Sequence, residues 1–248
     1  MAKEKLRLDS LLKEKGLVQS RSKGQAIIMA GSVAVDGNII TKPGHFVSPS
    51  QRIEIKEDPC PFVSRGGLKL QKALERFQVS VSQRVCLDVG ASTGGFTHCL
   101  LQHGAKLVYA IDVGYGQLDW NLRNRVDIVN LERTNIRHVS QDIFHEIPDL
   151  ATIDTSFISL KIVVPKVQEL IQEKGDIIAL IKPQFEAGRE KVGKGGVIRD
   201  PTVHKEVLAD LELFFTRELG LEYCGVVSSP ITGAKGNREF LVHLKKLF

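Results

Sequence analysis

The sequence predicts an α/β protein: a doubly wound, mostly parallel sheet of seven strands, preceded by a small N-terminal α+β module. Three observations carry this. From residue 64 onward, apolar runs of strand length alternate with helical stretches, the pattern of a parallel sheet covered on both faces. The run Val85-Cys86-Leu87-Asp88-Val89-Gly90-Ala91-Ser92-Thr93-Gly94-Gly95-Phe96 passes from a strand through a glycine-rich turn, and Thr97 to Leu101 resumes in helical style. Residues 1–59 form a self-contained pattern with its own charge balance. A chain of 248 residues accommodates one large or two modest domains.

In the first segment, Leu8, Leu11 and Leu12 recur at helical spacing and stop at Gly16-Leu17-Val18. Ser20-Arg21-Ser22-Lys23 opens a second helix with Ala26, Ile27 and Ile28 apolar and Gly31 as its stop. Val33 to Ile40 reads as a hairpin turning on Asp36-Gly37, Lys42-Pro43-Gly44 as a turn, and Arg52-Ile53-Glu54-Ile55 as a closing strand. Glu57-Asp58-Pro59-Cys60-Pro61 breaks the pattern, so residues 60–63 are a linker and 64–248 a second domain. Ser64 caps a helix from Arg65 to Phe77, with Leu68, Ala73, Leu74 and Phe77 as its apolar stripe.

Beyond Val85–Val89 the expected strands are 106–114, 126–129, 150–154, 176–183, 223–227 and 239–244. Ligands in such sheets collect beyond the carboxyl ends of the strands, which places Asp88, Asp112, Asp154 and Lys182 on one rim. The glycines let backbone approach a ligand, although turns of this kind also serve only to pack a helix on a sheet. Asp112, 24 residues after Asp88, stands where an acid holds a ribose hydroxyl pair; strand-end capping is the other reading. Pro183 keeps Lys182 extended, and Asp154, one strand away, is its expected partner. Residues 184–199, rich in glycine and carrying Arg189, Lys191 and Lys194, read either as a basic lid or as a segment without fixed structure. Asp200-Pro201 starts a helix whose core face is Val203, Val207, Leu211 and Phe215.

The formal charge is +5; residues 1–59 carry ten Lys and Arg against seven acids, a net +3, leaving +2 for the rest. The basic excess is thus concentrated in the small module and permits nucleic-acid binding there. The four cysteines, Cys60, Cys86, Cys99 and Cys224, form no C-x-x-C pair and read as thiols of a reducing cytoplasm. No two histidines stand at i, i+4, and no metal site is expected. The start lacks an apolar signal core and no apolar run reaches 18 residues, so no membrane segment is expected.

Arg7-Leu8-Asp9, Ser20-Arg21, Ala26-Ile27-Ile28, Gly31 to Gly37 and Lys42-Pro43-Gly44 together resemble the S4-like RNA-binding domain. That resemblance implies that Arg7, Arg21, Lys23 and Lys42, with Arg65 just beyond, lie near RNA phosphates; for any single lysine a solvated face is the competing reading. Ser64 to Leu70, Asp88 to Thr97, Asp154 to Leu160, Ile181 to Glu186 and Gly236-Asn237-Arg238-Glu239-Phe240 resemble the FtsJ-like 2′-O-methyltransferases, and more closely the TlyA family of rRNA methyltransferases, historically labelled hemolysins. The resemblance spans nearly the whole chain. It implies a Rossmann-like methyltransferase domain with a catalytic tetrad at Lys69, Asp154, Lys182 and Glu239. It also implies S-adenosylmethionine held by Asp88, Gly90, Ser92, Thr93, Gly94, Gly95 and Phe96, with Asp112 on the ribose and Asn135 near the adenine. Lys182 is the general-base candidate; a positioned base contributes ~10²–10⁴-fold and alignment ~7–11 kcal/mol.

Methylation of cytidine riboses in 23S rRNA, or in both 23S and 16S rRNA, is the activity this resemblance implies. Ribosomal RNA or subunits are the expected partner, and no obligate protein partner is evident. Two rivals remain: a non-catalytic ribosome-assembly factor that kept the fold, and a membrane-lytic protein.

Overall fold

The computed structural model describes residues 5–18, 20–29, 31–55, 60–193 and 195–248. Glu57-Asp58-Pro59 of the expected break and Lys194 of the glycine-rich stretch lie outside them. The chain divides into two compact units, Met1–Arg65 and Gly66–Phe248.

The first unit runs β1 (Leu6–Arg7), α1 (Leu8–Glu14), α2 (Arg21–Met29), β2 (Val33–Val35), β3 (Asn38–Ile39), β4 (Phe46–Val47) and β5 (Ile53–Ile55). Leu8, Leu11 and Leu12 of α1 meet Ile27 and Ile28 of α2 and Val33, Val35 and Val47 in one core. α2 ends as anticipated: Gly31 takes φ +78°, its N–H donates to the Ile28 carbonyl, and the Ser32 N–H donates to Ile27. The β2–β3 turn places Asp36 and Gly37 both at positive φ, the mirror-image turn that Asp-Gly favours. β2 is central, antiparallel to both β3 and β5. The antiparallel β1–β4 pair was not foreseen, because strands of two residues carry no readable period.

The second unit contains α3 (Gly66–Phe77), β6 (Val85–Val89), α4 (Gly95–Gln102), β7 (Leu107–Ile111), α5 (Trp120–Arg123), β8 (Ile128–Leu131), β9 (Leu150–Ile153) and α6 (Leu160–Leu170). It continues through β10 (Asp176–Ile181), α7 (Pro183–Glu186), α8 (Pro201–Leu213), β11 (Glu222–Ser228) and β12 (Phe240–Lys245). The sheet order is β11-β12-β10-β9-β6-β7-β8; β10, β9, β6, β7 and β8 are mutually parallel and β12 runs against both its neighbours. The third strand begins two residues later than expected: Val126 is fully exposed and Asp127 is tied to Arg125 by an ion pair, so the turn extends to Asp127.

From β6 the chain winds outward through β7 and β8, then returns to add β9 on the other side. The switch point therefore lies between β6 and β9, where a doubly wound sheet opens a crevice. At the opposite ends of the strands, Arg84 bridges Asp149 (2.9 Å) and Asp176 (2.6 Å), locking that rim away from the crevice.

Candidate active site

The strand register gathers four ionisable side chains at one corner. Ile153 pairs with Ala179 and Ile181 with Phe240, so Asp154, Lys182 and Glu239 each stand one residue beyond the paired ladder, at adjacent strand ends. α3 supplies the fourth. Lys69 Nζ lies 2.6 Å from Glu239 Oε2, and Lys182 Nζ lies 2.6 Å from Asp154 Oδ1 and 2.9 Å from Ser156 Oγ. Lys69, Lys182 and Glu239 are buried, whereas the Asp154 side chain stays 22% exposed. Two neutralised pairs explain how two lysines persist beneath a protein surface, where an unpaired charge is costly. Lys69 shares the buried stripe of α3 with Leu70, Ala73 and Leu74. A lysine in register with an apolar stripe was the available signal.

The glycine turn has a different division of labour from the expected one. Asp88 is fully buried and accepts hydrogen bonds from Thr97 Oγ1 (2.6 Å) and Thr152 Oγ1 (3.0 Å), tying β6 to α4 and β9. Burial pushes its carboxyl up to about 6 despite those two donors. Asp88 is thus a brace inside the sheet and not a rim group, and Phe96, 3% exposed, packs into the core behind the turn. Gly90, at φ +84°, leaves no room for a side chain: a Cβ there would stand 2.6 Å from the Asp154 carbonyl oxygen. Gly94 is covered by Leu118 and Leu122, and Gly95 is buried as the first residue of α4. Ser92 and Thr93 are the exposed part of the turn.

Asp112 ends β7 beside them. Its Oδ2 accepts from the Ser92 N–H (2.8 Å) and its Oδ1 from the Gly114 N–H (2.7 Å), so the carboxylate is fixed against the turn while remaining half-exposed. Val113, next along, is 70% exposed. Asn135 caps a 3₁₀ turn through the Arg137 N–H, and Arg133 stacks on exposed Tyr115 at 4.2 Å.

The loops after β9 and β10 are joined by a residue the sequence did not single out. Glu186 accepts from Ser159 Oγ (2.6 Å) and from the Leu160 N–H (2.9 Å), pinning the start of α6. Burial raises its carboxyl above the usual range. Between these anchors Phe157 adopts φ +62° and is 90% exposed, its ring 4.9 Å from that of Phe185. Holding a bulky residue at positive φ costs ~1–3 kcal/mol, which the surrounding loop must offset.

The stretch expected as lid or unstructured segment carries defined contacts. Gly193 bridges Val197, and buried Asn237 accepts from the Ile198 N–H (3.1 Å) while donating to the Gly196 carbonyl (2.9 Å). Lys191 is engaged by Glu206 at 2.7 Å. In the first unit, Arg7 and Arg21 both pair with buried Asp9, at 2.9 and 3.1 Å, and Gln25 adds a third donor. These hydrogen bonds, Arg7 first, hold the Asp9 carboxyl far below the usual range. The two arginines thus build the unit as well as facing solvent, while Lys23, Lys42 and Arg65 are exposed. Among the described residues no group of three or more His, Cys, Asp and Glu is arranged for a metal ion, and no helix is long and apolar enough to cross a membrane.

A doubly wound sheet of this order with ionisable residues at its switch-point rim defines a methyltransferase-type domain, here following an S4-type module. The FtsJ-like methyltransferase model matches residues 62–246 and the S4 domain model residues 6–53; the chain belongs to the FtsJ-like methyltransferase family. It is 49% identical over 245 residues to YqxC of Bacillus subtilis, provisionally named an rRNA methyltransferase, covering 98% of this chain and 87% of that one. It is 44% identical over 241 residues to the 16S/23S rRNA (cytidine-2′-O)-methyltransferase TlyA of Mycobacterium tuberculosis, covering 96% of this chain and 89% of that protein. A solved structure from Streptococcus thermophilus that carries a provisional hemolysin name superposes with a TM-score of 0.78 at 42% identity, over 99% of this chain and 90% of that one.

Proposed function

We propose that the protein transfers a methyl group from S-adenosylmethionine to the 2′-hydroxyl of cytidines in ribosomal RNA, in the cytoplasm. Residues 1–59 dock the RNA, 60–63 connect, and 64–248 carry the chemistry. The observation that supports this most is the two ion pairs that hold the buried lysines, Lys69–Glu239 and Lys182–Asp154, set beside the switch-point turn. The names of the relatives supply the RNA and the nucleoside.

The residues present fit a nucleoside-bearing methyl donor. Exposed Ser92 and Thr93, beside Gly90, Gly94 and Gly95, offer close backbone, the oriented Asp112 carboxylate suits a ribose hydroxyl pair, and Asn135, following Thr134 whose N–H donates to the Asp112 carbonyl, serves the base side. When bound, the donor supplies an activated methyl group on a sulfonium. This chain's residues align the acceptor and manage one proton. Lys182 receives the proton of the 2′-hydroxyl after its resting proton has left through Asp154, whose carboxylate touches solvent. Ser156 fixes the amine's direction. Lys69, fastened by Glu239, adds positive charge where the oxyanion develops. Phe157 offers its face to the target base, which must leave its stack for the ribose to reach the pair.

The direct test incubates the purified protein and methyl-labelled donor with unmodified 23S and 16S rRNA and maps the methylated riboses. Label at cytidine 2′-oxygens supports the reading. RNA binding without label supports an assembly factor instead, and leakage from liposomes without label supports a lytic protein.

A further inference from the structure

We propose that Arg199 and Arg238 form a clamp for the RNA phosphodiester backbone next to the target ribose, a subsite that rests on the RNA-methylating reading above. Each follows directly on one member of the hydrogen-bonded pair Ile198–Asn237, the Ile198 N–H donating to Asn237 Oδ1 at 3.1 Å. That pair is itself braced: Asn237 Nδ2 donates to the Gly196 carbonyl, the Gly233 N–H donates to the Asn237 carbonyl, and Lys235 Nζ donates to the Gly195 carbonyl, each at 2.9 Å. Two loops far apart in sequence are stapled into one platform, and the cations it carries are held in place by backbone.

Both arginines are exposed, and neither has a carboxylate partner among the described residues. This contrasts with Lys191, engaged by Glu206, and with Arg84, Arg123 and Arg125, each tied to an acid. The acid next to Arg199, Asp200, is committed to the Thr202 N–H at the start of α8. Arg238 also precedes Glu239, the partner of Lys69, so the platform is continuous with the tetrad. Guanidiniums recognise phosphate through a rigid fork of donors, and contacts to phosphate fix position without reading sequence. A clamp beside the reacting ribose would hold the backbone while the base is displaced.

The test is equilibrium binding of purified, unmodified 23S rRNA across a salt series, using full-length wild type, Arg199→Ala, Arg238→Ala, the double variant and Arg217→Ala, which removes an exposed charge elsewhere. Each clamp variant is expected to lower the slope of log affinity against log salt by about 0.7–0.9 and to weaken binding roughly tenfold, with Arg217→Ala unchanged. Arg→Lys variants should recover most of the slope, showing that charge and not folding was lost. Slopes equal to wild type in the double variant overturn the clamp, as does weakened donor binding with RNA binding intact. Methyl transfer is scored in parallel. Loss of slope with no transfer by wild type sustains the clamp and sinks the enzymatic reading; transfer with unchanged slopes does the reverse.

Discussion

Lys69 and Glu239 are 170 residues apart in sequence, yet their charged atoms lie 2.6 Å apart with the lysine side chain 11% and the glutamate side chain 3% exposed. A contact of this kind joins α3 to the strand end beside Lys182, and it makes one corner of the domain depend on a single buried pair. Removing one partner leaves an uncompensated buried charge, which typically costs ~3–5 kcal/mol, whereas replacing both with apolar groups is often neutral. Lys69→Met and Glu239→Leu are each expected to lower stability in urea unfolding by about that amount. The double variant should recover most of the loss without recovering methyl transfer.

Gly233 and Gly90 leave no room for a side chain beside two members of the tetrad. A Cβ at Gly233 would stand 1.9 Å from Glu239 Oε1, so the carboxylate must swing away to admit it. Gly233→Ala is expected to lose at least tenfold in kcat, since small misplacement of an aligning group costs on that order or more, and to lower stability by disturbing the buried pair with Lys69. At Gly90 the obstacle is the Asp154 backbone and φ is +84°, so Gly90→Ala should lower stability as well as turnover.

Asp88 titrates with a sign opposite to the usual carboxylate. Burial raises its folded-state value to about 6, above the unfolded value of about 3.9, so folding favours the protonated form. The stabilising contribution is complete below about pH 4 and is lost as pH rises through 6, a change of about 3 kcal/mol. Asp88→Asn, whose Oδ1 can accept from one threonine while its Nδ2 donates to the hydroxyl of the other, should therefore gain stability relative to wild type between pH 4 and pH 7. A pH series of urea-unfolding curves for the two proteins reads this directly, and parallel curves would refute it.

Phe157 holds a 90% exposed ring at positive φ, beside Phe185. Stacking of a base on an aromatic side chain is worth ~1–3 kcal/mol by alanine substitution. Phe157→Ala is expected to cut kcat/KM for RNA by about tenfold or more with donor binding unchanged, and Phe157→Trp to retain activity.

The long elements were legible because their periodicities are strong: β10 is six apolar-dominated residues closed by a lysine and a proline, and Asp200-Pro201 opens α8 as expected. Short pieces such as β1 and α7 were not, since two to four residues hold no period. Within the site, Asp112, Asp154 and Lys182 could be placed from strand ends alone. Glu239 and its pairing with Lys69 needed the resemblance, because a contact between residues 170 apart leaves no local trace, while Lys69 itself shows only in its register with the α3 stripe. Asp88 misled for a physical reason: an acid ending a strand looks like a rim group until two threonines, Thr97 and Thr152, are seen to satisfy it inside the sheet. Glu186 and Asn237 were silent, since nothing in sequence shows that a polar side chain staples one loop to another.

The central claim is that Lys182, held by Asp154 and Ser156, removes the proton from a ribose hydroxyl. Single-turnover methyl transfer to 23S rRNA by wild type and Lys182→Ala, with donor and RNA affinities measured on the same preparations, tests it most directly. The variant is expected to bind both ligands within about threefold of wild type and to transfer methyl at least ~10²-fold more slowly. Transfer at a near-normal rate by Lys182→Ala would contradict it.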